Sequence, residues 1–101
     1  MIDLDRSIAL AVKTGKVMFG AENALENAKT GKVRLIVAAS NCSSEFLKDL
    51  RYCCQLSEIP LIVYNGSSRE LGVACGKPYT VSALCVRDLG DSDILEATRS
   101  G

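Results

Sequence analysis

Apolar residues recur along this chain at spacings that change from one short stretch to the next, and these changes predict alternating helices and strands. In residues 3–14, helical spacing brings four apolar residues to one face: Leu4, Ile8, Ala11 and Val12. Asp3 or Asp5 is suited to cap this helix, and Gly15 to end it. The short apolar stretch Lys16–Phe19 then predicts a strand.

The next two elements repeat the order of helix and strand. Residues 21–29 predict a helix with three residues facing inward: Ala24, Leu25 and Ala28. Gly31 lies where a glycine ends many helices. Residues 33–39 form a nearly continuous apolar run, which predicts a central strand covered on both faces.

A longer helix is predicted from Ser43 or Ser44 to about Leu56. Its apolar stripe consists of Leu47, Leu50 and Cys54 at helical spacing. Phe46 and Cys53 flank this stripe. Residues 60–64 predict another buried strand, which is followed by a turn at Asn65 and Gly66.

The last third of the chain begins with the spacing of a capping box, because Ser67 and Glu70 can each bond the backbone amide of the other. The helix that follows is predicted to reach about Cys75, and residues 77–80 form a loop before a final strand at 81–86. A short last helix is predicted to open at Asp91, Ser92 and Asp93. Strands that alternate with helices predict a three-layer α/β/α domain.

The composition narrows the possible functions. A length of 101 residues predicts a single domain over residues 1–101, and the absence of histidine excludes catalytic triads with histidine and His-ligated zinc or haem sites. The net charge is zero, so any contact with nucleic acid must come from a local patch. No apolar run is long enough to span a membrane, and the first residues lack a signal-peptide pattern, so we expect a cytosolic protein.

The five cysteines, an odd number, predict free thiols in a reducing compartment. Four of them are the candidates for a thiol-dependent enzyme or redox protein: Cys42, Cys53, Cys54 and Cys75. Their spacing is not that of a zinc site. We favour the alternative that they act as small core hydrophobes, so we expect no catalytic residue, no metal and no cofactor.

Three breaks between elements carry side chains that are suited to binding. Gly20 lets another backbone approach a helix N-terminus, whose amides suit a phosphate. Asn41 can donate and accept hydrogen bonds, while Lys77 and Tyr79 supply charge and a stacking surface. Each also has a structural explanation: Gly20 as a turn, Asn41 as a cap or turn former, and Tyr79 as a half-buried anchor. The spacing alone leaves both possibilities open.

Several motifs in the chain occur in this order: TGK and GAENAL, LIVAASN, IPLIVY, ELG, CGKPYTV and GDSDIL. This combination resembles the archaeal and eukaryotic large-subunit ribosomal proteins of the L thirty e type, a family within the kink-turn RNA-binding superfamily. The resemblance runs from about Leu4 to Leu95. It implies an α/β/α sandwich with a mixed four-stranded sheet and a cytoplasmic, ribosome-bound protein without catalytic activity. The implied partners are ribosomal RNA and neighbouring ribosomal proteins, with a monomer expected off the ribosome.

The resemblance also implies which residues contact a kink-turn, an asymmetric internal loop of RNA with a sharp bend and sheared G·A pairs. Gly20 opens the second helix, Glu22 and Asn23 fall where relatives contact the guanines of those pairs, and Asn41 is a further RNA contact. Tyr79 lies in the loop that packs on an extruded nucleotide. The complete set is Gly20, Glu22, Asn23, Asn41, Lys77, Tyr79, Thr80 and Val81.

The chain departs from the family pattern at Glu22, where it carries an acidic residue. Relatives often carry Lys or Arg at the position of Glu22, and a basic or amide residue near Glu26, whereas a carboxylate repels phosphate. We therefore expect altered RNA affinity, offset by four lysines: Lys16, Lys29, Lys32 and Lys77. The alternatives are a kink-turn binder of RNA modification or processing, a protein-interaction domain without RNA, and the thiol-dependent enzyme.

Overall fold

The computed structural model describes residues 4–94 as alternating helices and strands. In chain order they are α1 Leu4–Thr14, β1 Lys16–Phe19, α2 Ala21–Thr30, β2 Leu35–Ala39, α3 Ser44–Ser57, β3 Leu61–Tyr64, α4 Ser68–Ala74 and β4 Ala83–Asp88. The order and type of all eight elements agree with the expectations from the sequence.

The four strands form one mixed sheet in the order β1-β4-β2-β3. β4 runs antiparallel to both of its neighbours, with Leu84 paired to Phe19 on one side and to Val37 on the other. β2 and β3 are parallel, with Ala39 paired to Tyr64. The mixed four-stranded sheet implied by the family resemblance is therefore confirmed.

Side chains of the central strand β2 alternate between two hydrophobic cores. Leu35 and Val37 enter the core shared with Ile8 of α1 and Leu71 of α4. Ile36 enters the second core, together with residues of α2 and α3: Ala24, Ala28, Leu50 and Cys54. All five residues of β2 are buried, as predicted for a strand covered on both faces. The structure thus has three layers, α1 and α4, the sheet, and α2 and α3.

Helix ends follow the local chemistry of the chain. Gly31 ends α2 in the left-handed conformation, and the Ser43 hydroxyl accepts a hydrogen bond from the backbone N–H of Phe46 at the start of α3. The capping box predicted for α4 is present in full between Ser67 and Glu70. These caps satisfy amides and carbonyls that have no partner within the helix itself.

Three sequence expectations differ from the structure. β3 is an edge strand rather than a fully buried one, and Val63 is 37% exposed. The last strand begins at Ala83 instead of residue 81, because the N–H of Val81 donates to Ser68 of α4. The central strand begins at Leu35 instead of residue 33. The predicted last helix beyond Ile94 lies outside the described residues.

Candidate nucleic-acid interface

The three candidate loops lie at the same end of the sheet. β1 and β2 both end there, and β4, which runs the opposite way, begins there. The pairings of Phe19 with Leu84 and of Ala38 with Ala83 fix this alignment. Residues 20–23, 41 and 77–81 consequently approach one another, which the spacing in the sequence could not establish.

Backbone hydrogen bonds join the starts of the first two loops to Ser82, which precedes β4, and to Ala83, which begins it. The N–H of Gly20 donates to the carbonyl of Ala83 at 2.9 Å, and the N–H of Ala39 donates to the carbonyl of Ser82 at 2.8 Å. The Cys42 thiol also donates to the Ser82 carbonyl, at 3.0 Å. Ser82 and Ala83 therefore hold the starts of both loops in place.

The start of α4 joins the second loop to the third. The Oδ1 atom of Asn41 accepts a hydrogen bond from the backbone N–H of Ser68 at 2.9 Å. The carbonyl of the same Ser68 accepts from the N–H of Val81 at 3.0 Å. Asn41 thus bonds an N-terminal amide of a helix 27 residues away, while α3, the helix that follows Asn41, is capped by Ser43. The Asn41 side chain remains exposed.

The third loop packs closely against α4. A Cβ atom added to Gly72 would lie 2.2 Å from the carbonyl oxygen of Tyr79, so only glycine permits this approach. The N–H of Lys77 donates to the Gly72 carbonyl at 3.0 Å. The Tyr79 residue is 54% exposed, so a large part of its ring faces solvent while its backbone is held against α4.

The start of α2 presents a different set of groups. Gly20 has φ of 112° and ψ of 148°, and no side chain caps the helix there. The Nδ2 atom of Asn23 donates to the Phe19 carbonyl at 2.9 Å. This bond leaves the side-chain oxygen, Oδ1, as the accepting group of the Asn23 amide. Glu22 and Asn23 are both exposed. Open helix amides therefore lie beside two acceptor groups.

The structure brings seven of the eight predicted residues to this surface in an accessible position. For Gly20 the accessible part is the backbone, and for the other six it is the side chain. The exposed members are Glu22, Asn23, Asn41, Tyr79 and Thr80, with Gly20 and Lys77 partly exposed. Val81 differs, because its side chain is 2% exposed and belongs to the core. Val81 can take part only through its backbone.

Three of the four lysines expected to offset Glu22 lie elsewhere. Lys16 begins β1, whereas Gly20 follows its end, and a strand of this length separates the two by about 13 Å. Lys29 lies in the last turn of α2, and Lys32 follows that helix, so both are near the opposite end of the sheet from the loops. Lys77 is therefore the lysine of the four that lies beside the loops, whereas Lys29 lines one surface pocket of α2 together with Glu22.

Ser68 and Ser82 were missed by the sequence analysis, although both hold the loops together. A signal for Ser68 was available, because the capping box places the start of α4 just after β3. Parallel strands end at the same edge of a sheet, so that start had to lie near Asn41 at the end of β2. The role of Ser82 arises from its backbone carbonyl and has no signature in the side-chain pattern.

The thiols have the chemistry of core residues. Burial raises the pKa of Cys54 and of Cys75 to about 11, and burial also raises the pKa of Cys42 and Cys85. These four thiols are therefore protonated at neutral pH, unlike an activated nucleophile. Within residues 4–94 no group of three His, Cys, Asp or Glu side chains is arranged to hold a metal ion. In the same range no helix has the length and hydropathy needed to cross a membrane.

Fold and loops together define a three-layer α/β/α domain with an exposed polar surface at one end of its sheet. A family model described as the ribosomal protein L7Ae/L30e/S12e/Gadd45 family matches residues 3–96. The chain belongs to this family.

Relatives and a solved structure extend the comparison. A protein of Methanobrevibacter smithii named large ribosomal subunit protein eL30 is 48% identical over 98% of this chain and all of its own length. A protein of the same name from Methanothermobacter thermautotrophicus is 47% identical over 94% of this chain and 97% of its own. A solved structure of a protein with unknown function from Bacillus halodurans C has a TM-score of 0.81 and 25% identity, with full coverage of both chains.

Proposed function

We propose that this protein is a constituent of the large ribosomal subunit that binds ribosomal RNA by recognising a kink-turn. Family membership and relatives named as large-subunit proteins over nearly the whole chain support the ribosomal assignment. The meeting of residues 20–23, 41 and 77–81 at one end of the sheet is the observation that carries RNA recognition.

The recognition surface combines groups that suit an RNA with splayed bases. Backbone amides at the start of α2 favour a phosphate, and Gly20 leaves room for that approach. The exposed ring of Tyr79 offers a stacking face for a base outside the helix stack, and Lys77 adds a positive charge. Sequence-specific binding of RNA depends on such unpaired or distorted regions, because the major groove of a regular A-form helix is too narrow for side chains.

Shape supplies much of the proposed specificity. Loops held rigidly to Ser68, Ser82 and Ala83 fit one arrangement of the RNA backbone better than others. Binding then shifts the RNA from its extended to its kinked population by the difference in affinity for the two. The protein would act on RNA structure without chemical change, in agreement with the raised pKa values of its thiols.

The charge at this surface is mixed, which has consequences for salt dependence. Glu22 and Lys77 are both at the loops, and the chain as a whole has no net charge. Few counterions are then released from the RNA on binding, so log K falls with log salt less steeply than for a strongly basic ribosomal protein. Base contacts and stacking carry a correspondingly larger share of the affinity.

The proposed location is the cytoplasmic ribosome, with ribosomal RNA and neighbouring ribosomal proteins as partners and a monomer in the free state. Hydroxyl-radical footprinting on full-length large-subunit RNA tests this assignment. The expected result is protection confined to one kink-turn, reduced in an Asn41→Ala variant and unchanged in a Tyr52→Ala control on α3. Protection spread over regular duplexes would contradict the proposal.

Co-sedimentation separates the ribosomal role from that of a kink-turn binder in RNA modification or processing. The tagged protein is expected in the large-subunit fraction after centrifugation at moderate salt. Recovery with small ribonucleoprotein particles and absence from that fraction would favour the alternative.

A further inference from the structure

We propose that the open edge of β3, together with the adjoining face of α3, docks an extended segment of a neighbouring ribosomal protein, which adds a further strand to the sheet. The docked segment is apolar on the side that faces α3 and carries an acidic residue opposite Arg51. The inference rests on the proposed ribosomal function and names the surface and the chemistry of one protein partner.

The outer edge of β3 carries backbone groups without a partner. Ile36 of β2 pairs with Leu61, and its N–H donates to the Pro60 carbonyl at 3.1 Å. Successive residues of a strand turn their backbone groups to opposite edges, so Ile62 bonds β2 while Leu61 and Val63 point theirs away from it. Among the described residues nothing pairs with these outward groups. The edge can therefore bond another extended chain.

This edge lacks the features that keep other strands from pairing with it. Residues 59–64 include no charged side chain. Proteins commonly guard an open edge with lysine or another charge, because an unpaired apolar strand is a template for a second chain. The other edge strand of the sheet, β1, begins with the exposed Lys16. β3 instead exposes Val63, which suits it to a permanent partner.

A groove of about 390 Å³ lies between this edge and α3. Alternate residues of an added strand would point into the groove, since side chains two apart in a strand share a face. Four of the residues that line it are apolar and two are polar: Cys54, Ile59, Leu61 and Val63, with Arg51 and Gln55. The side chains that enter the groove must therefore be mainly apolar.

The charge of Arg51 decides the polar part of the occupant. Its side chain is exposed, and within residues 4–94 no hydrogen bond or ion pair engages it. An arginine beside such a groove suits a carboxylate, which it can bond through two parallel N–H groups. Lys48 lies one turn earlier on the same side of α3 and adds a second positive charge. An acidic residue in the docked segment complements both.

The backbone groups favour a protein over RNA as the occupant. Leu61 and Val63 each offer an N–H and a carbonyl along the edge, and a peptide backbone matches donors and acceptors in the same alternation. A phosphate accepts hydrogen bonds but donates none, so it would leave the carbonyls unpaired. The apolar lining of the groove likewise suits side chains better than a charged backbone.

The outer face of α3 extends the surface beyond the groove. Tyr52 is 64% exposed and Leu56 is 68% exposed, and the two lie one turn apart, each next in sequence to a groove residue. Tyrosine and arginine contribute a large share of the binding energy at many protein interfaces. With Val63, these side chains form one exposed apolar surface beside the open edge.

Amide hydrogen exchange of the wild-type full chain, free and in purified large subunits, tests the proposal directly. In the free protein the amides of Leu61 and Val63 are expected to exchange faster than that of Ile62, which bonds β2. In large subunits all three are expected to exchange slowly, because the added strand accepts from the outer pair. Fast exchange of Leu61 and Val63 in the subunits would overturn the inference.

Val63→Lys tests the same edge with a single added charge, and Ala9→Lys, at an exposed residue of α1, is the matched control. Both proteins are expected to bind an isolated kink-turn RNA equally. In competition with the wild-type protein for large subunits depleted of it, Val63→Lys is expected to lose about tenfold or more, the effect of one lost anchoring contact. Equal incorporation of the two lysine variants would contradict the proposal.

Photo-crosslinking identifies the occupant. Benzoylphenylalanine substituted for Leu56 is expected to join the chain, in large subunits, to a segment of another ribosomal protein that contains an acidic residue among apolar ones. Cross-links to ribosomal RNA or to a second copy of this chain would overturn the inference. Absence of the wild-type protein from large subunits would instead overturn the proposed function.

Discussion

The ammonium group of Lys77 lies 5.2 Å from the centre of the Phe19 ring, which joins the third loop to the end of β1. Phe19 also packs against the core shared by α1 and α4. Each of the three loops is therefore linked to the other two. Ser68 joins the second loop to the third, the carbonyls of Ser82 and Ala83 join the first loop to the second, and Lys77 joins the third loop to the first. A charged side chain of the proposed RNA-binding surface is thus held by a partly buried aromatic ring.

A double-mutant cycle measures the strength of this contact. Phe19→Leu keeps an apolar side chain against the core, and Lys77→Met keeps an unbranched one over the ring. We expect a coupling of about 0.5–1 kcal/mol in the free energy of unfolding, the range for cation–π pairs near the surface. Urea denaturation of the four proteins gives this value. Additive effects of the two changes would show that the contact contributes nothing.

Gly20→Ala is expected to destabilise the protein through backbone conformation rather than through a clash. The nearest heavy atom to an added Cβ is 3.9 Å away, but a φ of 112° with ψ of 148° is accessible almost only to glycine. Holding another residue there costs on the order of 1–3 kcal/mol. Urea denaturation measures the loss.

Gly76→Asn is the control for that substitution. Gly76 has φ of 72°, in the left-handed region that asparagine tolerates, and nothing lies within 4 Å of an added Cβ. We expect a loss of less than about 1 kcal/mol there. A Gly20→Ala protein as stable as Gly76→Asn would contradict the explanation from backbone conformation.

Tyr64 makes the stability of the fold depend on pH at the alkaline end. Burial, followed by the hydrogen bond to Asp5 at 2.7 Å, raises the pKa of Tyr64 to about 12. An unfolded tyrosine ionises near pH 10, so between about pH 10 and 12 the unfolded state has lost a proton that the native state retains. The free energy of unfolding therefore falls as the pH rises through this range, and the contribution is complete below it.

Tyr64→Phe should remove that fall, while Tyr52→Phe, at a residue 64% exposed, should retain it. Cys54 and Cys75, whose pKa values are raised to about 11, cause an earlier decline from about pH 9 in both variants. The comparison is therefore made between the variants, by urea denaturation at pH 8.5 and pH 11.5. Identical differences between the two pH values in Tyr64→Phe and Tyr52→Phe would refute the assignment.

Two single substitutions on the recognition surface should weaken binding to a kink-turn RNA without loss of fold. Asn41→Ala and Tyr79→Ala are each expected to cost about 1–3 kcal/mol, the scale of one base contact or one stacked base. Tyr52→Ala, which removes a somewhat more exposed aromatic ring from α3, is the control and should bind as the wild-type protein does. Isothermal titration calorimetry measures all three. Wild-type affinity in Tyr79→Ala would assign that ring to a structural role.

The elements of this fold could be predicted from local pattern because each carries its own signal. The run that ends at Ala39 indicates a buried central strand, and the spacing of Ser67 and Glu70 indicates a helix start. The edge position of β3 left no comparable signal, since Leu61–Tyr64 is as apolar as a central strand. Which strand lies at an edge is decided by pairing between distant segments.

The candidate site shows the same division between local and long-range information. Asn41 and Tyr79 have side chains that suggest binding on their own, and both are exposed. The buried position of Val81 and the distance of Lys16 from the loops required the sheet register. The fixed orientation of the Asn41 amide required a hydrogen bond to a residue 27 positions away. Such a contact leaves no pattern along the chain.

Binding of the full chain to a kink-turn RNA and to a matched RNA whose G·A pairs are replaced by Watson–Crick pairs tests the central claim most directly. If the loops read the bent backbone and its guanines, the replacement should weaken binding by at least about 100-fold at the same salt concentration. Equal affinity for the two RNAs would show that residues 20–23, 41 and 77–81 do not form a kink-turn recognition surface.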